Sequence, residues 1–309
     1  MARTLSQAAE LCQDKMIKGV IEEILYTSPL INLVPFVDLK GNALSINRES
    51  TLPTVQWRAP GGTWTESTGK TTGTTFALKI LGGDADTDNF IATTRSNIND
   101  QHAVDIQMKS KAMAHEWEDC MMYGVASGSN QFDGFHTLVD SAMQLHMGSG
   151  GVGAALTTTT LDQAIDLVSI LAKPTFILMN KNLRRRLTTY LRGIGSYATE
   201  RDEFGKLWQV WGDGIPIVPT DWLVQTEDIS GATYDAKTGG LTSSIFVGFF
   251  GEGDGLVGLQ NGGITKEHWE KLEVKDAMRT RLKWYVGLAM YSTKCLCRID
   301  GITDAAITA

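Results

Sequence analysis

The sequence lacks the features from which function is usually read first. No apolar run is long enough to span a membrane, because the amino-terminal segment Leu5 to Leu25 is broken by Glu10, Asp14, Lys15, Lys18, Glu22 and Glu23. The same charges exclude a signal peptide or anchor there. Basic residues are not in excess: 28 Lys and Arg against 35 Asp and Glu give a net charge of -7. That balance argues against tight coating of nucleic acid through phosphate neutralisation. Cysteines are few, and Cys12, Cys120, Cys295 and Cys297 show no zinc-ligand spacing. Their apolar contexts suggest buried thiols in a reducing cytosol, with Cys295 and Cys297 on one strand face.

Catalytic and cofactor motifs are missing as well. The Gly69-Lys70-Thr71 triplet lacks the P-loop's first glycine, since Trp64 stands five positions before Gly69. Gly148, Gly150 and Gly153 spell a dinucleotide fingerprint, yet Asp166 comes too early to bind a ribose and sits in a helical pattern. That tract reads as a flexible junction. His102, His115 and Glu116 form no His-Glu-x-x-His motif, and no serine nucleophile stands in a strand-to-helix turn. No catalytic residue, metal ligand or cofactor site is assigned.

What the sequence does contain is an ordered series of elements. At 309 residues, two packed units with extensions are expected. Leu5, Ala8, Cys12, Met16, Ile17, Ile21 and Ile24 outline an amphipathic amino-terminal helix. Pro29, Pro35 and Pro53 then interrupt an extended arm. From Thr54 to Ile91 the pattern predicts a long hairpin, with Thr54–Trp57 leading out, Gly61–Thr75 as its tip and Phe76–Ile80 leading back. Asn97 would cap a helix running to about Tyr123. Thr160 and Gln163 have capping-box spacing ahead of a second helix. Asn180 would cap a third, with Leu183, Leu187, Tyr190 and Leu191 inward and Arg184, Arg185, Arg186 and Arg192 outward. Glycine-punctuated strands close the chain, and no repeat is present.

The ordered stretches "TSPLINLVPF", "GNALSINRE", "FDGFHTLV", "LTTTTLDQAIDLV", "FILMNKNLRRRL", "FGKLWQVWGDGIPIVPTD", "SIFVGFFGEGDGLVGLQNGGI" and "KWYVGLAMYSTKCLCRIDGI", with the hairpin among them, cover nearly the whole chain. The sequence resembles the major capsid proteins of tailed double-stranded DNA bacteriophages. This resemblance implies an α+β, Hong Kong 97-like capsid fold: an amino-terminal arm over 1–48, an extended loop over 49–94, a peripheral domain with a long spine helix over 95–155 and 265–309, and an axial domain over 156–264. It implies a structural protein, not an enzyme, that assembles as pentamers and hexamers into an icosahedral shell around packaged double-stranded DNA without sequence-specific binding.

The expected setting is the virion, assembled in the host cytoplasm, with a portal; the sequence has no room before its arm for a scaffolding segment, so either a separate scaffolding protein, which Met1 favours, or a processed or trimmed chain is expected. Decoration proteins are left open, and no membrane is involved. Trp57, Trp64, Lys70 and Phe76 are the candidate intersubunit contacts. Lys70 matches only the placement of a cross-linking lysine in some relatives, and no cross-link is expected. Arg184, Arg185 and Arg186 are first a solvated helix face and only secondarily a contact to DNA or a partner. The alternatives are an encapsulin-like compartment shell and, from another class, a nucleotide-dependent enzyme.

Overall fold

The computed structural model describes residues 29–89, 101–148, 152–169, 172–195, 199–201, 207–212, 214–229, 237–273 and 275–308. The amino-terminal helix with Cys12, the Asn97 cap and Gly150 lie outside them.

One unit is built on the longest helix, Gln101–Tyr123. Ile106, Met113, Ala114, Trp117, Cys120 and Met121 recur at helical spacing and are buried. The helix packs on a sheet of β1 (Phe36–Asp38), β4 (Lys79–Asp88), β11 (Leu256–Trp269) and β12 (Ala277–Met290), in the order β1-β11-β12-β4. Between them sits an aromatic cluster, with the Phe36 ring 5.9 Å from Trp117 and 5.5 Å from Trp284. Gly258 makes this approach possible: a Cβ there would lie 2.6 Å from the Phe36 ring. The arm is therefore held by the chain's own fold from Pro29, since Leu30, Ile31, Val34 and Phe36 are buried and β1 pairs in parallel with β11.

The second unit is a seven-stranded sheet of β5 (Gln144–His146), β6 (Phe176–Asn180), β7 (Thr199–Arg201), β8 (Leu207–Trp211), β9 (Ile215–Thr220), β10 (Thr242–Gly248) and β13 (Leu296–Thr303), ordered β5-β13-β10-β6-β9-β8-β7. Every residue of β10 is buried, as expected of a strand covered on both faces. Helix Thr158–Ser169 packs on β13 and β10, and helix Lys181–Gly193 on β6 and β9. Asn180 caps the latter by accepting from the Asn182 amide at 2.9 Å. The former begins earlier than the capping-box spacing predicts. Thr157 Oγ1 accepts from the Thr160 amide at 3.2 Å, so Thr157 is the capping residue and Thr160 lies inside the helix.

β2 (Ala43–Thr51) and β3 (Lys70–Ala77) pair only with each other, as an antiparallel hairpin. Its outgoing strand precedes the predicted Thr54–Trp57, and its return strand takes in the Lys70–Thr75 end of the expected tip. The threonines Thr71, Thr72, Thr74 and Thr75 put a β-favouring polar side chain on both faces, which suits a strand wet on both sides, and polarity alone had marked them as a loop. Sheet membership also departs from the boundaries expected at 48, 94 and 264. Arg48 lies inside β2, β4 belongs to the four-stranded sheet, and β11 joins that sheet from Leu256. β13 crosses back to pair with β10, bringing the buried Cys295, Leu296, Cys297 and Ile299 to that core.

The units meet around a buried charge. Glu227 has no exposed surface, and its carboxylate accepts from Tyr123 Oη at 2.6 Å, from His136 Nε2 at 3.1 Å and from the Ser244 hydroxyl. Arg298, itself buried, stands 3.7 Å away and donates to Ser244 at 3.1 Å. His136 Nδ1 faces the Met122 carbonyl at 2.7 Å, so both ring nitrogens have an oxygen partner within hydrogen-bond reach. Burial pushes the Glu227 carboxyl up, but the His136 hydrogen bond, the His136 and Arg298 charges and the Ser244 hydroxyl together hold it below the ordinary carboxylate range. Burial, followed by the Glu227 charge, drives the Tyr123 hydroxyl upward.

Because the folded-state pKa of Glu227 lies below the unfolded value of about 4.3, its contribution is complete above that pH and is lost as pH falls through the depressed value. Glu227→Gln is expected to cost about 3–5 kcal/mol at neutral pH and to flatten the acid limb of the stability profile, read by chemical denaturation of unassembled subunits. Asp86→Ala, in an exposed pair with Arg279, is expected to cost less than about 1 kcal/mol.

Candidate assembly interface

The β2–β3 hairpin is anchored at its root and open at its tip. At the root, Arg48 Nε donates to the Tyr291 carbonyl at 2.9 Å, a second guanidinium nitrogen donates to Met290, and the Arg48 side chain lies over the Phe76 ring at 5.8 Å. The Leu78 amide reaches the Asn42 carbonyl at 2.8 Å and closes the base. At about 3.3 Å per residue, β3 carries the tip roughly 25 Å from this anchor.

Residues 52–69 contain no strand, and each is exposed. They still have a definite shape. Ser67 bridges the chain by accepting from the Thr54 amide at 2.8 Å and donating to the Thr54 carbonyl at 3.0 Å. Arg58 donates to the Gly62 carbonyl at 2.8 Å and stacks on Trp64 at 4.2 Å, while Trp64 Nε1 reaches the Gln56 carbonyl at 3.3 Å. On this folded tip Leu52, Val55, Trp57 and Trp64 turn apolar surface to water. Such a cluster on a projecting element is characteristic of a binding surface.

The candidate residues separate. Trp57 is fully exposed and Trp64 is 65% exposed, both on the tip. Lys70 opens β3 and is exposed, beside the tip instead of within it. Phe76 is only 8% exposed, which corrects its reading as an exposed contact. It belongs to the chain's own core beneath Arg48, and one face of β3 turns inward only at the root. Arg184 and Arg185 are exposed on helix Lys181–Gly193, whereas Arg186 pairs with Asp304 at 2.8 Å. The cluster is thus partly a solvated face with an acidic partner.

Next to the root, β4 and β12 are joined by paired ions. Arg281 Nε contacts Asp84 at 2.6 Å and Arg279 Nε contacts Asp86 at 2.6 Å, each pair in direct register. The Arg281 hydrogen bond draws Asp84 below the ordinary carboxylate range, against a small opposing effect of burial. Burial pushes the thiols of Cys120, Cys295 and Cys297 up to about 12. Among the described residues no group of three His, Cys, Asp or Glu is placed to hold a metal ion. Gly153, from the glycine-rich tract, lies against the Gly301 carbonyl, where a Cβ would approach to 2.5 Å.

No protein-family model matches the sequence, and no curated protein matches it. Solved structures do. The chain is similar to the holo-SrpI encapsulin complex from Synechococcus elongatus PCC 7942, with a TM-score of 0.66 and 16% identity over 91% of this chain and 89% of that one. It is similar to the capsid of the native GTA particle, with a TM-score of 0.60 and 14% identity over 89% and 90%. The capsid of the cyanophage P-SCSP1u gives a TM-score of 0.55 and 13% identity over 87% and 86%. The chain has the Hong Kong 97-type capsid fold. The Gln101–Tyr123 helix is the longest among the described elements and the one for which the resemblance implies the role of spine.

Sequence reasoning missed the Glu227 centre altogether. One signal was available: Arg298 and Asp300 interrupt the otherwise apolar run Cys295–Ile302, and charged residues in such a strand require buried partners. Their partners, Glu227 and His146, are distant in sequence and could not be named from it. Trp57→Ala is expected to leave the stability of the unassembled subunit within about 0.5 kcal/mol, whereas Phe76→Ala should cost about 3–5 kcal/mol. Thermal or urea denaturation of the two variants would check the difference.

Proposed function

We propose that this chain is a structural subunit of a closed protein shell, and that the shell is the icosahedral capsid of a tailed double-stranded DNA phage. The observation that carries this reading is the projecting hairpin: a shaped tip whose residues 52–69 are all exposed, with Leu52, Val55, Trp57 and Trp64 among them. An isolated subunit gains nothing from that arrangement. In a shell the same tip is buried against a neighbour, where an aromatic side chain in a desolvated pocket can supply a large share of the association energy. The fold, shared with capsids and an encapsulin over most of the chain, supports the same conclusion.

Pentamers and hexamers are the assemblies expected, with a separate scaffold and a portal as partners and the virion as location. The net charge of -7 suits a wall that encloses DNA without coating it. Trp57 and Trp64 are the proposed contact residues, with Lys70 at the edge of the contact and no covalent cross-link. The subunit has no catalytic role in this reading. An encapsulin-like compartment is the second reading, favoured by the TM-score of 0.66 to an encapsulin.

Negative-stain electron microscopy of the purified chain, with sedimentation at several concentrations, is expected to show closed shells, tubes or capsomer rings. A chain that stays monomeric at every concentration, with scaffold supplied, would overturn the shell reading. Nucleic-acid content separates its two forms: packaged DNA in natural particles supports the capsid, whereas cargo protein without DNA supports the compartment.

A further inference from the structure

A cleft of about 180 Å³ opens beside the root of the hairpin. Lys79, Ile80 and Leu81 at the start of β4 line one part of it, and Trp117 of the long helix, Phe132 of the following loop and Val286 of β12 line another, with Cys120, Asn130 and Gln131 also at its wall. Its lining is largely apolar, yet Ile80 is 74% exposed. Trp117 is buried, but its Nε1 has no hydrogen-bond partner. An apolar cavity of roughly 150 Å³ accommodates a benzene-sized ring, so the cleft has the scale of an aromatic side chain. At its rim stand Lys79 and Glu116, the latter accepting from Gln131 at 3.3 Å.

The tip of the hairpin carries a complementary set. Trp57 is fully exposed, Arg58 follows it, and Glu66 stands on the returning side of the tip. Because residues 52–69 are all exposed, the tip does not fill the cleft of its own chain. The two features lie a hairpin's length apart, roughly 25 Å by strand rise. A contact from tip to root is heterologous: each copy gives one surface and receives on another, and repetition produces a ring when the rotation closes.

We propose that Trp57 of a second copy seats in the cleft between Ile80, Trp117 and Phe132, with Arg58 meeting Glu116 at the rim. The proposal rests on the shell reading and adds to it which residues of one copy meet which of the next. Arg58 opposite Glu116, and Glu66 free to face Lys79, give the contact a preferred orientation.

The test uses assembled particles of the full chain carrying Trp57→Cys and Ile80→Cys, treated with bismaleimidoethane, a short linker between thiols. Both positions are exposed, so neither change threatens the fold. A covalent ladder in denaturing electrophoresis is expected, with peptide mapping showing a 57-to-80 link between chains. In a separate variant, Ile80→Glu sets a carboxylate beside Glu116 and is expected to raise the protein concentration needed for assembly by about tenfold, as is Trp57→Ala. Particles that form at the parental concentration in both variants, with no 57-to-80 link, overturn this contact and leave the shell reading standing. A 57-to-57 link means that tips meet tips and overturns it too. A parent chain that never assembles removes both readings.

Discussion

The charge on Glu227 has none of its surface in water, and the packing of the molecule is arranged around that constraint. A buried carboxylate is costly unless paired, and its three hydrogen-bond donors and one ion-pair partner come from four separate segments. Tyr123 ends the spine helix, His136 sits on the short helix after it, Ser244 lies on β10, and Arg298 on β13. The Tyr123 ring stacks on His136 at 4.2 Å, and the Phe246 edge closes the other side. Moving the spine helix relative to the seven-stranded sheet would strip donors from the carboxylate. The centre therefore makes one arrangement of the two units much better than its neighbours.

That rigidity gives the hairpin something to project from. Arg48 fixes the root to the end of β12, and the Phe36–Trp117–Trp284 cluster fixes β12 and β11 to the spine helix. The exposed strands then carry apolar side chains away from the core that could have covered them. An exposed apolar tip of this kind is unfavourable in an isolated subunit, and in the proposed shell a neighbour would cover it.

Much of the order of elements was legible in the chain. Leu183, Leu187 and Leu191 at helical spacing behind Asn180 give one helix with its cap, and the Phe176–Met179 run gives the buried strand before it. The hairpin was legible as an existence but not in register. A strand with both faces in water has no alternation of polarity, so "KTTGTTF" looks like a loop. Phe76 was misplaced for a related reason, because only its position at the root, beneath Arg48, puts it in the core.

By itself the sequence determined the type and order of most local elements. Spacing sets helices and strands locally, and the order of those elements was enough to suggest the fold. Tertiary structure alone decided that β13 returns to β10, that Thr157 is the cap ahead of Thr160, that Glu227 meets Arg298, and that a cleft opens beside Ile80. Each depends on segments far apart along the chain, and local pattern carries no information about which distant segment will supply the partner. Pairing across long separations is settled by packing, which acts on the whole chain at once.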